Sequence, residues 1–227
     1  MNKHHKKNIF AYDKKADIYD NTLDGKLTES FKNHLIDVIL ADTVTCKSSS
    51  KSITDNCSDM TINLTASTDI LSVLDVGCGN GTLLSKLSNA MKLHGFGVDL
   101  SPQMIANAKL RSPDFNFTAS GCESIPFDDN SMDIITVCAA FHHFPDVNKF
   151  ASEASRLLKA GGHLYVADIN LPIIIRHFAN FLAPLSKSGD VKIYSQKEIA
   201  STFKAVGFRL VCATKRGYIQ IVTFQKI

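Results

Sequence analysis

The sequence predicts an α/β protein built on a doubly wound, mostly parallel sheet, and three observations predict it. Short apolar runs recur along the chain at 71–76, 94–100, 115–120, 134–140 and 163–169. Stretches of helical spacing separate them, an alternation that builds βαβ units. The first run, Leu71-Ser-Val-Leu-Asp-Val, breaks directly into Gly77, Gly79 and Gly81 before a helix pattern that opens at Thr82.

That break is the most informative stretch. Leu71, Val73, Leu74 and Val76 suit a strand covered on both faces. Alternate glycines let the backbone turn tightly and admit a ligand with no Cβ in its way. The helix behind them offers unpaired N–H groups and a positive dipole end. Asp75 lies just before the loop and is expected to brace it. The second strand ends at Asp99, where a carboxylate can accept both hydroxyls of a ribose. Ser101-Pro102 then caps the next helix. The glycine spacing is G-x-G-x-G rather than the G-x-G-x-x-G of dinucleotide-binding proteins, with Thr82 in the last glycine's place.

V-L-D-V-G-C-G-N-G followed by G-V-D-L-S-P-Q-M-I resembles the class I S-adenosylmethionine-dependent methyltransferases, in particular the small-molecule branch that includes the ubiquinone and menaquinone biosynthesis enzymes. Further along, G-C-E-S-I-P-F-D-D-N-S-M-D, F-H-H-F-P-D and L-K-A-G-G-H-L-Y-V-A-D resemble the same family. The resemblance implies a seven-stranded sheet of order 3-2-1-4-5-7-6 with the last strand antiparallel. It also implies methyl transfer from S-adenosylmethionine, with S-adenosylhomocysteine as product. Carried over residue by residue, Gly77, Cys78, Gly79 and Asn80 meet the methionine end, with Ala139 beside it and Asp75 beneath. Asp99 binds the ribose; Leu100, Cys122 and Glu123 lie at the adenine. The family's adenine-binding Asp falls on Gly121, so either the cofactor is held more weakly there, with the Cys122 and Glu123 N–H groups still in reach of the adenine, or Asn116, Ser120 or water substitutes as the acceptor.

Residues 1–42 read as a helical N-terminal segment. Its Phe10, Tyr12, Ala16 and Tyr19 resemble the family's lid, and an aromatic face beside a sulfonium is favourable through cation–π attraction. Tyr12 and Tyr19 are therefore candidate lid residues, with plain packing as the alternative. Residues 43–69 are polar and read as an insertion, with a short apolar stretch at Met60–Leu64. Residues 70–227 form the expected methyltransferase domain, and 169–190 the expected substrate-covering segment, whose apolar character also fits core packing or a dimer face. His143 and Asp168 are the candidate catalytic residues. No metal is expected, because adjacent histidines usually diverge and no third ligand follows them closely.

Composition narrows the remaining classes. A net charge of +3 and 21% charged residues do not favour nucleic acid. The six cysteines form no C-x-x-C pair, and Cys78, Cys122 and Cys138 read as reduced packing residues. No apolar run is long enough for a bilayer, and the basic N-terminus lacks the apolar core of a secretory signal, so a cytoplasmic location is expected. The expected partner is a small acceptor, apolar or aromatic, met by a monomer or homodimer. A nicotinamide-dependent oxidoreductase and a non-catalytic cofactor-binding protein are the competing readings.

Overall fold

The computed structural model describes residues 3–45, 70–186 and 188–227. The expected short structure at Met60–Leu64 and most of the expected insertion lie outside these residues. Two N-terminal helices, α1 (Lys3–Asp13) and α2 (Leu23–Thr45), flank a short 3-10 turn at Ala16–Asn21. The sheet begins with β1 (Leu71–Val76), followed by α3 (Thr82–Ala90), β2 (Leu93–Asp99), α4 (Pro102–Arg111) and β3 (Asn116–Ala119). The second half runs β4 (Met132–Cys138), α5 (Val147–Leu157), β5 (Leu158–Ile169), α6 (Ile173–Leu182), α7 (Gln196–Lys204), β6 (Phe208–Arg216) and β7 (Ile219–Lys226).

The seven strands form one sheet in the order β3-β2-β1-β4-β5-β7-β6. The first five strands pair in parallel, and β7 lies antiparallel between β5 and β6. The order in which successive strands are laid across the sheet therefore reverses at β1, whose neighbours are β2 and β4. Crevices at such a reversal are where open α/β sheets bind ligands, at the carboxyl ends of the strands.

Strand period fixes two cores. Val73, Ile134, Tyr165 and Ala167 face Phe31, Leu35 and Ile39 of α2 and Leu84 of α3. Their neighbours Leu74, Ile135, Leu164 and Val166 face the opposite way, against Phe150 of α5 and Phe203 of α7. Alternation along buried strands feeds both layers at once. The α5–α7 side is rich in aromatics: Phe203 packs with ring centroids 4.9 Å from Phe224, 5.6 Å from Phe208 and 6.0 Å from Phe150. Helix α7 is set by a capping box: Ser195 Oγ accepts from the Glu198 N–H, and the Glu198 carboxylate accepts from the Ser195 N–H.

Two local features depart from simple pattern. Lys159-Ala-Gly-Gly does not end α5 in a glycine-capped turn; α5 passes straight into β5 at Leu158. Leu158 pairs with Met132 and His163 with Ile134, so the intervening residues form a bulge, with Gly161 at φ +77°. Helix α6 buries none of its residues. It turns its polar side inward, where Asn180 donates to the Ile193 carbonyl (3.0 Å) and accepts from the Ile193 N–H (2.7 Å). Ile174 and Phe181 point outward, 81% and 78% exposed. The most apolar segment outside the sheet thus adds nothing to the core.

Phe203 has no exposed surface and touches both α5 and the β6–β7 pair. Phe203→Ala is expected to cost about 3–5 kcal/mol, read as a lower midpoint in urea denaturation. A loss below roughly 1 kcal/mol would mean that this cluster does not hold the second layer.

Candidate functional site

A cavity opens at the carboxyl ends of β1, β2 and β4, and the glycine loop forms its floor. The loop folds back on β2: the Gly77 and Cys78 N–H groups both donate to the Val98 carbonyl, at 2.8 and 3.0 Å. Gly77, Gly79 and Gly81 all take positive φ. A Cβ on Gly77 would lie 2.5 Å from the Ala140 Cβ, so glycine is required there by both conformation and space.

Asp99 is half-buried at the end of β2 and lines the cavity. Its Oδ2 accepts from the Gly79 N–H and its Oδ1 from the Ser101 N–H, both at 2.9 Å. Burial raises its pKa, opposed by these backbone donors. Each oxygen retains a further acceptor position, which suits a pair of vicinal hydroxyls.

Leu100, Ser120 and Cys122 line one end of the cavity. Gly121 and Glu123 do not, although both were expected there. Glu123 turns to His5 of α1, with Oε1 3.1 Å from the ring Nε2, and His5 itself lines the cavity. A Cβ on Gly121 would meet the Glu123 carboxylate at 2.8 Å, so an Asp at 121 would have to displace it. The thiols of Cys78 and Cys122 are pushed up by burial, which makes them packing groups rather than nucleophiles.

Ala139, Tyr12, Tyr19 and His143 gather at the other end. Ala139 sits at φ +52°, a strained conformation for a residue with a Cβ, and its N–H is fixed to the Ala167 carbonyl at 2.8 Å. The Tyr12 hydroxyl lies 3.0 Å from His143 Nε2, with the rings edge to face at 5.6 Å. The Tyr12 and Tyr19 centroids are 6.0 Å apart. Burial raises the pKa of both phenols, Tyr19 to about 12, so both are neutral at ordinary pH.

Acids of the N-terminal segment fasten it to α4 and to the glycine loop. Asp13 accepts from Ser101 Oγ, Asp17 from Asn107 Nδ2 (3.0 Å), and Asp20 from Arg111 (2.7 Å) and Asn80 Nδ2 (2.9 Å). Asn80 therefore lines the cavity while its amide ties the loop to the N-terminal segment. Sequence reasoning missed four lining residues of this segment: His5, Asn8, Thr28 and Lys32. They sit on helices remote in sequence, with no motif to mark them. Burial lowers the pKa of Lys32 against the pull of nearby acids.

Asp75 does not line the cavity and makes no bond to the glycine loop. It is buried in the sheet, where its Oδ1 accepts from Thr136 Oγ1 of β4 at 2.8 Å. It bonds sideways because β1 and β4 pair Asp75 directly with Thr136.

The two histidines also depart from expectation. Rather than diverging, the His142 and His143 rings lie 4.1 Å apart. Asp168 accepts from both the backbone N–H and Nδ1 of His142, at 2.8 and 2.7 Å, so it clamps this turn and lies outside the main cavity. Asp190 faces both rings, 3.0 Å from His143 Nδ1 and 3.9 Å from His142 Nε2. Burial opposes its ionisation, but the His143 ring and Ser186 hydroxyl hold its pKa well below the usual carboxylate range. A second cavity under α6 is bordered by His142, Asp190, Leu182 and Ile193.

Burial pushes the Asp75 pKa up to about 7, opposed by the Thr136 hydroxyl and Lys32. The folded state thus holds a proton that the unfolded chain releases near its ordinary value. The corresponding stability is present at acid pH and is lost as pH rises towards 7. Asp75→Asn, which cannot ionise, is expected to flatten the fall in melting temperature between pH 5 and 7, by several degrees. An unchanged slope in the variant would place that titration elsewhere.

Residues 74–166 match the family model described as a methyltransferase domain. Over 100 residues the chain is 32% identical to the demethylmenaquinone methyltransferase of Chlorobaculum tepidum, covering 44% of this chain and 41% of that protein. It is 35% identical over 100 residues to the phthiotriol/phenolphthiotriol dimycocerosates methyltransferase of Mycobacterium leprae, covering 43% and 37%. These matches thus span about two fifths of the length of each relative. The SAM-dependent methyltransferase from Aquifex aeolicus superposes with a TM-score of 0.55 at 24% identity, over 69% of this chain and 82% of that one. That likeness is one of fold. Strand order, glycine loop and family match converge on residues 74–166, which match a methyltransferase domain and carry the glycine loop within a seven-stranded sheet of order β3-β2-β1-β4-β5-β7-β6.

Proposed function

We propose that the protein transfers a methyl group from S-adenosylmethionine to a small apolar acceptor. The observation that carries this reading is the order of groups along one cavity. A half-buried carboxylate at Asp99 suits the ribose, glycine backbone allows close approach, and two neutral tyrosines in the lining suit a sulfonium. Leu100 and Cys122 would cover the adenine. Lys32 is a half-buried cation on the methionine side, suited to the cofactor's carboxylate.

When bound, S-adenosylmethionine supplies a methyl already activated by the sulfonium. The chain's own task is then to align an acceptor with that methyl and to exclude water. Tyr12 and Tyr19, from the N-terminal segment, close the methionine end as a lid held by the Asp13, Asp17 and Asp20 contacts. The Tyr12–His143 hydrogen bond ties that lid to the turn after β4. His143 is the candidate to take a proton from the acceptor where one must leave. The cavity under α6 sets Ile169, Leu182, Ala183 and Ile193 beside the polar Asn180, Ser186 and Lys192, which suits an apolar acceptor with a polar group, and relatives named as demethylmenaquinone and phthiotriol/phenolphthiotriol dimycocerosates methyltransferases support the same class. The exposed apolar α6 supports the same assignment.

The test is transfer of labelled methyl from S-adenosylmethionine to a panel of quinols, phenols and long-chain alcohols. The expected result is one acceptor class turned over, with Tyr12→Phe slowed about tenfold or more as the lid loses its tie to His143. Binding of S-adenosylhomocysteine with no turnover of any panel member would instead favour a non-catalytic binding protein.

A further inference from the structure

The side chains around the paired histidines have the arrangement of a metal site, and this rests on geometry independent of the methyl-transfer reading. Asp168 accepts from His142 Nδ1, which places the proton on that nitrogen and leaves Nε2 as a lone pair. Nε2 points towards Asp190, 3.9 Å away. His143 is the mirror case. Its Nε2 is engaged by the Tyr12 hydroxyl, which leaves Nδ1 facing Asp190 Oδ1 at 3.0 Å. That contact is short, yet the oxygen lies off the direction a ring N–H would take, and Nδ1 is a buried polar atom with no hydrogen-bond partner. The Asp190 carboxylate is held in turn by the Ser186 and Ser188 hydroxyls.

We propose that His142 Nε2, His143 Nδ1 and Asp190 Oδ1 bind one divalent transition-metal ion, with Zn²⁺ as the reference ion. The three atoms already lie within 4.8 Å of one another. Bonds of about 2.0–2.1 Å in tetrahedral geometry would set them roughly 3.4 Å apart, an adjustment of less than about 1.5 Å. An ion on the Nδ1 lone pair would take the carboxylate oxygen as its neighbouring ligand, in place of the poorly aligned 3.0 Å ion pair between them. Each histidine has its other nitrogen oriented by an acid or a hydroxyl, the outer support that metal-bound imidazoles use. Two nitrogens and one carboxylate suit Zn²⁺ or Fe²⁺ rather than Ca²⁺ or Mg²⁺.

Three protein ligands leave a coordination position open. His142 and Asp190 border the cavity under α6, and His143 borders the main cavity. The ion therefore sits between them. Granted the methyl-transfer reading, it would hold a hydroxyl or carbonyl oxygen of the acceptor at that boundary.

The test is Zn²⁺ binding by equilibrium dialysis on metal-stripped full-length protein, with Co²⁺ absorption as a report of coordination geometry. Wild type is expected to take up one ion with the intense visible bands of a tetrahedral site. Asp190→Asn should lose these bands and bind at least about 100-fold more weakly, and Asp168→Asn about 10–100-fold more weakly through loss of the His142 tautomer. Circular dichroism and S-adenosylhomocysteine titration on each variant establish folding and keep failure of the metal site distinct from failure of the cofactor site. No uptake by wild type would overturn the proposal. So would equal uptake by wild type and Asp190→Asn, which would place the ion elsewhere, such as the His4–His5 pair.

Discussion

The structure turns on the reversal of the chain at Gly77–Gly79. The Val98 carbonyl accepts two consecutive N–H groups from the loop, and Asp99 accepts a third from Gly79. These bonds hold the loop flat against the end of β2 and bring Asp99 beside backbone rather than side chain. The arrangement depends on glycine at 77, where a Cβ would strike Ala140, and on positive φ at Gly77 and Gly79. The same reversal starts α3, which returns the chain to β2 alongside β1.

The N-terminal segment completes what the sheet leaves open. Its acids do not form a solvated face; they bond to α4 and the glycine loop, while Tyr12 reaches His143. Many of these contacts are polar and partly exposed, of the kind that exchange readily with water. The sheet beneath is held by two apolar layers instead. A firmly packed platform under a cover joined by weaker polar contacts is a reasonable division for a cavity that must admit and release a large ligand.

How much was legible in the sequence follows from the physics of each element. Strand runs, glycine spacing, Asp99 and the Ser195–Glu198 cap depend on neighbours a few residues away, and local pattern carries them. Asp75 bonds to Thr136, 61 residues on, so the sequence placed the acid but not its partner. Lys32, His5 and Asn8 reach the cavity through tertiary docking, for which helix periodicity leaves no trace. Asp190 meets the histidines across nearly fifty residues, and without it the pair reads as two diverging side chains. Helix α6 misleads for a different reason. Its composition is that of a core helix, but the Asn180–Ile193 bonds fix its polar side inward, and composition says nothing about which side a helix presents.

The central claim is that the glycine loop and Asp99 form a site for S-adenosylmethionine and not for a dinucleotide. Calorimetric titration of wild type and Asp99→Ala with S-adenosylmethionine, S-adenosylhomocysteine and NAD tests it most directly. The account predicts binding of the first two and not of NAD, with affinity reduced about 100-fold or more in the variant by loss of charge-assisted hydrogen bonds. Binding of NAD alone, or unchanged affinity in Asp99→Ala, would contradict it.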